Sequence, residues 1–311
     1  MSVRSLDLLD LPSLARYRRD VLPLDSARTL TRGNPLGAAA LLSYLNPRRH
    51  IYTAVSTDGA VSFIGQVAQQ YGETFARLSF LAPSAALDGG EMALLDHLAA
   101  QAGEWGALHL LAEVDEQCIV FKSLRKSGFS MYAWQRVWKL AELPPHQNVP
   151  AWQETVSSDL IAIQSMHSQI VPALIHPVDS APRKPGGLVC KTKGEMKAYI
   201  NLDSGPAGIW LQPLVHPDSD CVPEKFSALL DDIPLRAGRP VYVCVRSYQA
   251  WLESALEGLG AEAGPRQAVM VKRLAKMQKV EEKIPVMEKA LKPATPIASL
   301  KEMLYSGKEK E

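Results

Sequence analysis

Dense apolar runs, separated by turn-forming dipeptides, dominate the first part of the chain. Three runs, at 50–57, 61–72 and 75–83, are rich in β-branched and aromatic residues. An Asp-Gly pair at 58–59 separates the first two runs, and a Gly-Glu pair at 72–73 separates the last two. Asp-Gly between β-prone runs is a strong hairpin signal. The pattern therefore predicts an antiparallel meander of three strands.

After Pro83 the apolar spacing becomes that of a helix, with one apolar stripe formed by Met92, Leu95, Leu98, Ala99 and Ala102. A dense apolar run at 106–114 then predicts a buried strand. The segment 116–128 predicts a helix closed by a glycine, and 129–140 predicts a final strand. The mixture of strands and helices indicates a domain of the α/β (α+β) class.

A second region, at 152–275, repeats this order of elements. Its last helix is in register with the helix of the first region, because Gln249 stands as far before Gly260 as Gln117 stands before Gly128. Each of these helices follows an apolar strand and precedes another strand. The repeated order predicts an internal duplication.

Composition sets the expected boundaries. Three prolines within 143–152 predict a linker between an N-terminal domain at 1–142 and a C-terminal domain at 152–275. The remainder, 276–311, is rich in Lys and Glu and lacks the apolar density of a core, so we expect a charged, flexible tail. A docking peptide for a partner is the alternative role for this tail.

Charge and cysteine content narrow the function. The 311 residues carry 34 Lys+Arg against 33 Asp+Glu, a formal net charge of +1, so we expect no nucleic-acid partner. No apolar run reaches the ~18 residues that span a bilayer, so we expect no membrane association. The four cysteines form no CxxC pair, which argues against a metal site and favours free thiols in the cytoplasm. Whether the chain is a monomer or a homodimer stays open.

The segments "HIYTAVSTDGAVSFIGQVAQQYGETFARLSFLAPS" and "ALHLLAEVDEQCIVFKSLRKSGFSMYAWQRVWKL", with a helix between them, carry a family likeness. Together they resemble the GNAT superfamily of acyl-CoA-dependent N-acyltransferases, most clearly at Gly128-Phe129, where a helix passes through glycine into a strand. The second region is similar only in element order and in the turn at Gly260. The resemblance implies a tandem of two GNAT-like domains, the second degenerate, each with a mixed, mostly antiparallel central sheet flanked by helices.

The resemblance also implies a co-substrate, acetyl-CoA or another acyl-CoA. A strand at 75–83 would part from its neighbour and offer its main chain to the pantetheine arm. A loop and the helix after it would hold the pyrophosphate. The cofactor-binding residues implied in this way are Phe80, Leu81, Ala82, Asp88, Gly89, Gly90, Glu91 and Gln117.

Two features of the loops weaken this expectation. In the first loop no basic residue precedes the glycines, and Asp88 and Glu91 place negative charge where a pyrophosphate would lie. A tight turn with Asp88 as a helix cap is the alternative. The second loop has prolines and acids in place of glycines, so we expect no CoA there. The residues concerned are Pro217, Asp218, Asp220, Pro223 and Glu224.

Catalytic groups are sparse. The resemblance implies a tyrosine acid four residues before the closing glycine, but those positions hold Leu124 and Leu256. Candidate catalytic residues are instead the carboxylates Glu113 and Asp115 at a strand end and the phenol of Tyr132, with Tyr71 as a further phenol. Solvated carboxylates with no catalytic role are the alternative, and acyl transfer can also proceed by proximity alone.

The first hypothesis is therefore an N-acyltransferase with its site in the N-terminal domain. Its acceptor would be a small-molecule amine, or a protein N-terminus or lysine. The second hypothesis is a non-catalytic tandem that senses a ligand or binds a protein. A third, an aminoacyl transferase similar to the Fem-type peptidyl-transferases, would need a more basic surface for tRNA than the net charge of +1 suggests.

Overall fold

A computed structural model describes residues 2–7, 16–37, 47–58, 61–140, 152–220, 222–233 and 238–274. The predicted tail at 276–311, nearly all of the predicted linker at 143–152 and the glycine of the 58–59 turn lie outside these residues. The strands are β1 (Ser2–Ser5), β2 (Leu22–Pro23), β3 (Arg49–Asp58), β4 (Val61–Gln70), β5 (Phe75–Ala82), β6 (His109–Asp115), β7 (Ser130–Leu140), β8 (Gln153–Glu154), β9 (Leu188–Thr192), β10 (Glu195–Ser204), β11 (Ile209–Val215), β12 (Val241–Arg246) and β13 (Glu262–Arg273). The helices are α1 (Ser26–Arg32), α2 (Met92–Glu104), α3 (Val120–Lys126), α4 (Leu160–Ile170), α5 (Val222–Asp232) and α6 (Leu252–Gly258).

All of these strands belong to one sheet. Its order is β1-β3-β4-β5-β6-β13-β7-β12-β11-β10-β9-β8, with β2 paired to β5 beside this path. Neighbours are antiparallel except in two pairs, β5 with β6 and β11 with β12. The predicted meander is confirmed as β3, β4 and β5, which pair in sequence order. The predicted mixed, mostly antiparallel sheet flanked by helices is confirmed as well.

The final strands of the two sequence halves cross over at the centre of this sheet. Strand β13, which ends the second half, lies between β6 and β7 of the first half. Strand β7, which ends the first half, lies between β13 and β12 of the second half. Each half therefore completes its sheet with a strand of the other, an arrangement that local patterns did not predict. The boundaries 1–142 and 152–275 stay predictions.

The duplication is visible in the ends of two short helices. Gly128 after α3 and Gly260 after α6 both have left-handed backbones, with φ of 85° and 73°. The next residue closes the same loop in each, since the Phe129 N–H donates to the carbonyl of Leu124 and the Ala261 N–H to that of Leu256. The same helix cap occurs in both halves at the predicted position, which supports an internal duplication.

Three of the four apolar clusters in the described residues pack helices against the sheet. Helices α2 and α3 cover one face of the first half, through residues such as Leu95, Leu98 and Leu124. Helices α5 and α6 cover the corresponding face of the second half. On the opposite face, Ile163 and Met166 of α4 pack in one cluster with Leu111 of β6 and Val269 of β13. Because this third cluster draws on both halves, they share a core as well as a sheet. No helix in the described part of the chain is long and apolar enough to cross a membrane.

Helix α1 of the first half packs on the turn between β10 and β11 of the second half. The Ala207 N–H donates to the carbonyl oxygen of Thr31 at 2.8 Å. A Cβ on Gly208 would lie 2.7 Å from the carbonyl oxygen of Leu30. Glycine at this position permits the close approach, which places residues 25–32 against strands that carry the site described next.

Candidate functional site

The two parallel strand pairs mark the places where the sheet opens. In the first half, β5 and β6 pair only at Phe75–His109, Ala76–Leu110 and Arg77–Leu111. Both strands continue beyond these pairs without bonding each other, so they part. The gap expected beside residues 75–83 is present in the fold.

This first gap is filled by the protein's own main chain. Strand β2 pairs with the parted end of β5, Leu22 opposite Leu81 and Pro23 opposite Phe80. The Leu24 N–H donates to the carbonyl of Ser79 at 3.0 Å, and the Glu113 N–H of β6 donates to the carbonyl of Leu24 at 2.9 Å. Residues 22–24 thus bond both edges of the gap. The main-chain groups that would hold a pantetheine arm are already satisfied within the chain.

Two amides of the loop after β5 also bond carboxylates of the chain itself. The Ala85 N–H donates to the Asp20 carboxylate at 3.1 Å, and the Gly89 N–H donates to the Glu91 carboxylate at 2.9 Å. These two amides are therefore not free to bind a pyrophosphate. The residue that caps α2 is Glu91 rather than Asp88, and its side chain makes no capping bond. The glycines here form a tight turn, with Gly89 at a φ of 119°.

The predicted cofactor-binding residues are not brought into one open site. Phe80 and Leu81 face the segment just described, and Ala82 pairs with Ile64 of β4. Asp88 and Gln117 are exposed at the surface. Their role in binding acyl-CoA stays a prediction, and the geometry of the first half does not favour it.

The second gap, between β11 and β12, is different. These strands pair at Ile209–Val241, Trp210–Tyr242 and Leu211–Val243 and then part. No strand of the described residues pairs with β11 on this side beyond Leu211. At the far end, the Nε2 of Gln249 donates to the carbonyl of Val215 at 3.1 Å.

A cavity of about 890 Å³ lies against the parted end of β11. Its walls come from both halves, since the turn between β4 and β5 faces β10, β11 and the loop after α4. We call it the large cavity. Its lining includes Gln70, Tyr71, Glu73, His167, His176, Asp179, Tyr199, Asn201, Gln212, Pro213, Leu214 and Tyr248.

Asp179 is the best-positioned carboxylate in the large cavity. Its Oδ2 accepts hydrogen bonds from Gln212 Nε2 at 2.8 Å and from the Tyr248 hydroxyl at 3.0 Å. Its backbone carbonyl lies 2.8 Å from the Nε2 of His167. Its other carboxylate oxygen, Oδ1, has no hydrogen-bond partner among the described residues. Burial, and then the charge of Asp179, raise the pKa of Tyr248 well above its usual value, so the phenol stays protonated and donates.

A smaller cavity of about 190 Å³ adjoins the large one, and the two share Gln70, Glu73, Asn201 and Gln212. We call it the charged cavity, because four arginines and four carboxylates line it. They are Arg28, Arg49, Arg77 and Arg246, and Asp25, Glu73, Glu113 and Asp203. Burial raises the pKa of Asp25 and that of Glu73.

The three predicted catalytic residues are scattered. Glu113 is buried in the charged cavity, where Oε2 accepts the Ser26 N–H at 3.0 Å and Oε1 lies 3.6 Å from Arg246 and 3.9 Å from Arg77. Asp115 accepts the N–H of Gln117 in a turn. Tyr132 accepts a hydrogen bond from Arg273 on the surface. Their catalytic roles stay predictions.

Sequence reasoning missed Arg77, Arg246 and Asp179. Arg77 and Arg246 each stand in an apolar strand, "FARLSFLA" and "VYVCVR", where a charge is costly unless it is paired or used. An arginine within an apolar strand was therefore a sequence feature that could have indicated a functional residue. Asp179 lies in a loop and carried no such signal. In the described part of the chain, no three His, Cys, Asp or Glu side chains gather as a metal site would require.

The sheet order, the two parted strand pairs and the crossed final strands define a tandem acetyltransferase-type fold. Comparison with known proteins agrees. A GCN5-related N-acetyltransferase from Sphaerobacter thermophilus matches 88% of this chain and 95% of its own, at 13% identity and a TM-score of 0.52. A tandem GNAT protein from the clavulanic acid biosynthesis pathway matches 88% of this chain and 98% of its own, at 14% identity and a TM-score of 0.51.

No protein-family model matches the sequence, and no curated protein matches it. At identities of 13% and 14%, the structural matches establish the fold and nothing finer. The chain therefore has the tandem GNAT fold, as the resemblance implied.

Proposed function

We propose that the protein is an N-acyltransferase that moves an acyl group from a CoA-type thioester to an amine, with its site where β11 and β12 part. The second gap, which no described strand fills, carries this proposal together with the large cavity on its β11 side. The first gap is closed by residues 22–24, whereas no described strand pairs with β11 across the second gap beyond Leu211, and Gln212, Pro213 and Leu214 line a space of about 890 Å³. The N-terminal location expected from the sequence is the alternative that the experiment must test.

The gap beside β11 is suited to the pantetheine arm of CoA, but the loop after β11 is poorly suited to the diphosphate. Carbonyl groups of the parted strand can accept hydrogen bonds from the amides of the arm. In the loop after β11, the Asp218 N–H donates to the ring of His216 and the Ser219 N–H to its carbonyl. Asp218 and Asp220 add negative charge. The arm should therefore supply most of the affinity, and the nucleotide diphosphate little.

Asp179 is the group we assign to proton transfer. Two donors hold its Oδ2, which leaves Oδ1 to take a proton from the attacking amine. The new C–N bond forms as the C–S bond breaks, and Asp179 returns that proton to the departing sulfur. Tyr248 and Gln212 are positioning residues, because they act only through the carboxylate. A positioned base of this kind contributes about 10²–10⁴-fold.

A second candidate is a ligand-binding tandem without catalysis. In each loop that follows a parted strand, some amides bond acceptors of the chain itself: Asp20 and Glu91 in the first half and His216 in the second. That observation favours a fold that has lost its nucleotide site and kept an inter-half cavity.

The deciding experiment compares acetyl-CoA with acetyl-pantetheine, which has the thioester and arm but no diphosphate. Thiol release is followed with a panel of amines. We expect similar KM values for the two donors, and a kcat about 10²–10⁴-fold lower in Asp179→Asn. Asp96→Asn is the matched control, since Asp96 pairs with Lys272 away from both cavities.

Three results would redirect the proposal. Unchanged kcat in Asp179→Asn would remove the assigned base. Activity lost in Tyr132→Phe and kept in Asp179→Asn would return the site to the first half. Failure of both donors to bind, measured by calorimetry, would leave the non-catalytic candidate.

A further inference from the structure

Arg246 is a buried charge with two nitrogens that have no hydrogen-bond partner among the described residues. It ends β12 at the joint between the halves, and its side chain is 7% exposed. Its Nε and Nη1 atoms are buried and have no hydrogen-bond partner among the described residues. Its Nη2 lies 3.6 Å from Glu113 Oε1, which is beyond the ~2.7–3.2 Å of a normal N–H···O bond. A buried guanidinium whose N–H groups lack hydrogen-bond partners, in a residue that lines a cavity, indicates a binding site for a ligand.

Chemistry favours a carboxylate on this arginine. A guanidinium presents donors in a planar fork that fits a carboxylate or a phosphate. The charged cavity, however, has as many carboxylates as arginines on its walls. Those carboxylates repel a doubly charged phosphate more than a singly charged carboxylate. Arg77 lines the same wall and lies 3.9 Å from Glu113, so it can share the bound group.

The cavity also contains an anion that lacks a partner. Glu73 lies in the turn between β4 and β5, and no described cation comes within ion-pair distance of its carboxylate. Burial raises the pKa of this carboxyl, against the opposing charges of Arg77 and Arg49. Glu73 lines both cavities, so a cation bound to it would face the large cavity as well.

We propose that the charged cavity binds the zwitterionic head of a free α-amino acid, with its carboxylate on Arg246 and its ammonium on Glu73. A cavity lined by equal numbers of arginines and carboxylates, with unused donors on Arg246 and no ion pair on Glu73, fits a neutral ligand that carries both charges. The volume of about 190 Å³ exceeds the ~10–15 Å³ needed for one water molecule and gives room for such a head group. The amino acid as the amine acceptor rests on the proposed function, since Glu73 would hold its nitrogen at the border with the large cavity. Binding itself does not depend on that function.

The test is calorimetric titration of the full chain, without a thioester, using the common L-α-amino acids one at a time. Each binder is compared with its amide, which lacks the carboxylate, and its N-acetyl form, which lacks the ammonium. Because a charge-assisted hydrogen bond is lost in each case, we expect affinity about 10- to 100-fold lower for both analogues.

Variants assign the two contacts. Arg246→Gln should lower the affinity for the amino acid about as much as removal of the ligand's carboxylate does. The affinity for the amide, which is already low, should not change. Arg246→Lys should restore part of the affinity. Glu73→Gln should lower the affinity for the amino acid about as much as removal of the ligand's ammonium does. The affinity for the N-acetyl form should not change. Arg266→Gln is the control, because Arg266 stacks on Trp134 and pairs with Glu116 at the surface. Thermal unfolding of each variant shows that it is folded.

Equal binding of an amino acid and its amide would overturn the contact with Arg246. Absence of binding for every amino acid would overturn the inference, while acyl transfer to simple amines would keep the proposed function. Amino-acid binding without thiol release from either donor would keep the inference and overturn the proposed function.

Discussion

The crossed final strands predict that neither half of this chain folds alone. A fragment of residues 1–142 lacks β13, which lies between β6 and β7. Removing it exposes two long strand edges at the centre of the sheet and leaves their backbone groups unpaired. A fragment of residues 152–275 in turn lacks β7, which pairs with both β12 and β13.

The size of the effect follows from the buried side chains of β13. Val269, Met270 and Val271 are at most 1% exposed. Full burial of each such side chain is worth about 1.5–3 kcal/mol, or about 5–9 kcal/mol together. A whole domain is stable by only about 5–15 kcal/mol. The loss of this one strand is therefore enough to remove most of the stability of the first half.

Circular dichroism and urea unfolding of the separate fragments check this prediction. We expect no cooperative transition from either fragment, and a single transition when both are co-expressed and purified as a complex. A chain that ends at residue 275 is the control and should unfold cooperatively. A cooperative transition from residues 1–142 alone would refute the reasoning and would support two independent domains.

Two further predictions concern stability. Leu24→Ala should lower the free energy of unfolding by about 2–5 kcal/mol, because Leu24 is 1% exposed in the segment that fills the first gap, and chemical denaturation measures this; a change near zero would mean that this segment is not bound in the gap. The hydrogen bond from Lys191 lowers the pKa of Asp159, so this pair should stabilise the fold above the unfolded-state pKa of about 3.9 and lose that contribution as pH falls below it. Thermal unfolding against pH should show this acid-side loss in the wild type and less of it in Lys191→Met, and identical profiles would contradict the assignment.

Local patterns predicted the parts of the fold that depend on near neighbours. The meander, the glycine caps at Gly128 and Gly260, and the apolar positions Leu124 and Leu256 follow from turn chemistry and periodicity, and both leucines are fully buried. The exchange of β7 and β13 does not follow, since pairing between strands over a hundred residues apart leaves no periodic trace. The filling of the first gap by residues 22–24 does not follow either, since their partners in β5 and β6 lie more than fifty residues along the chain.

The candidate site was predicted least well, because it belongs to neither half. Glu73 and Arg77 come from the first half, whereas Arg246 and Asp179 come from the second. The motifs of one half alone pointed to Glu113. Its Oε2 already accepts the Ser26 N–H, and its Oε1 lies near two arginines. The exchanged strands give this division a physical basis. β13 and β7 lie between β6 and β12, and across them the Nη2 of Arg246 lies 3.6 Å from Oε1 of Glu113. One continuous sheet therefore sets the distance between charges that the two halves contribute separately.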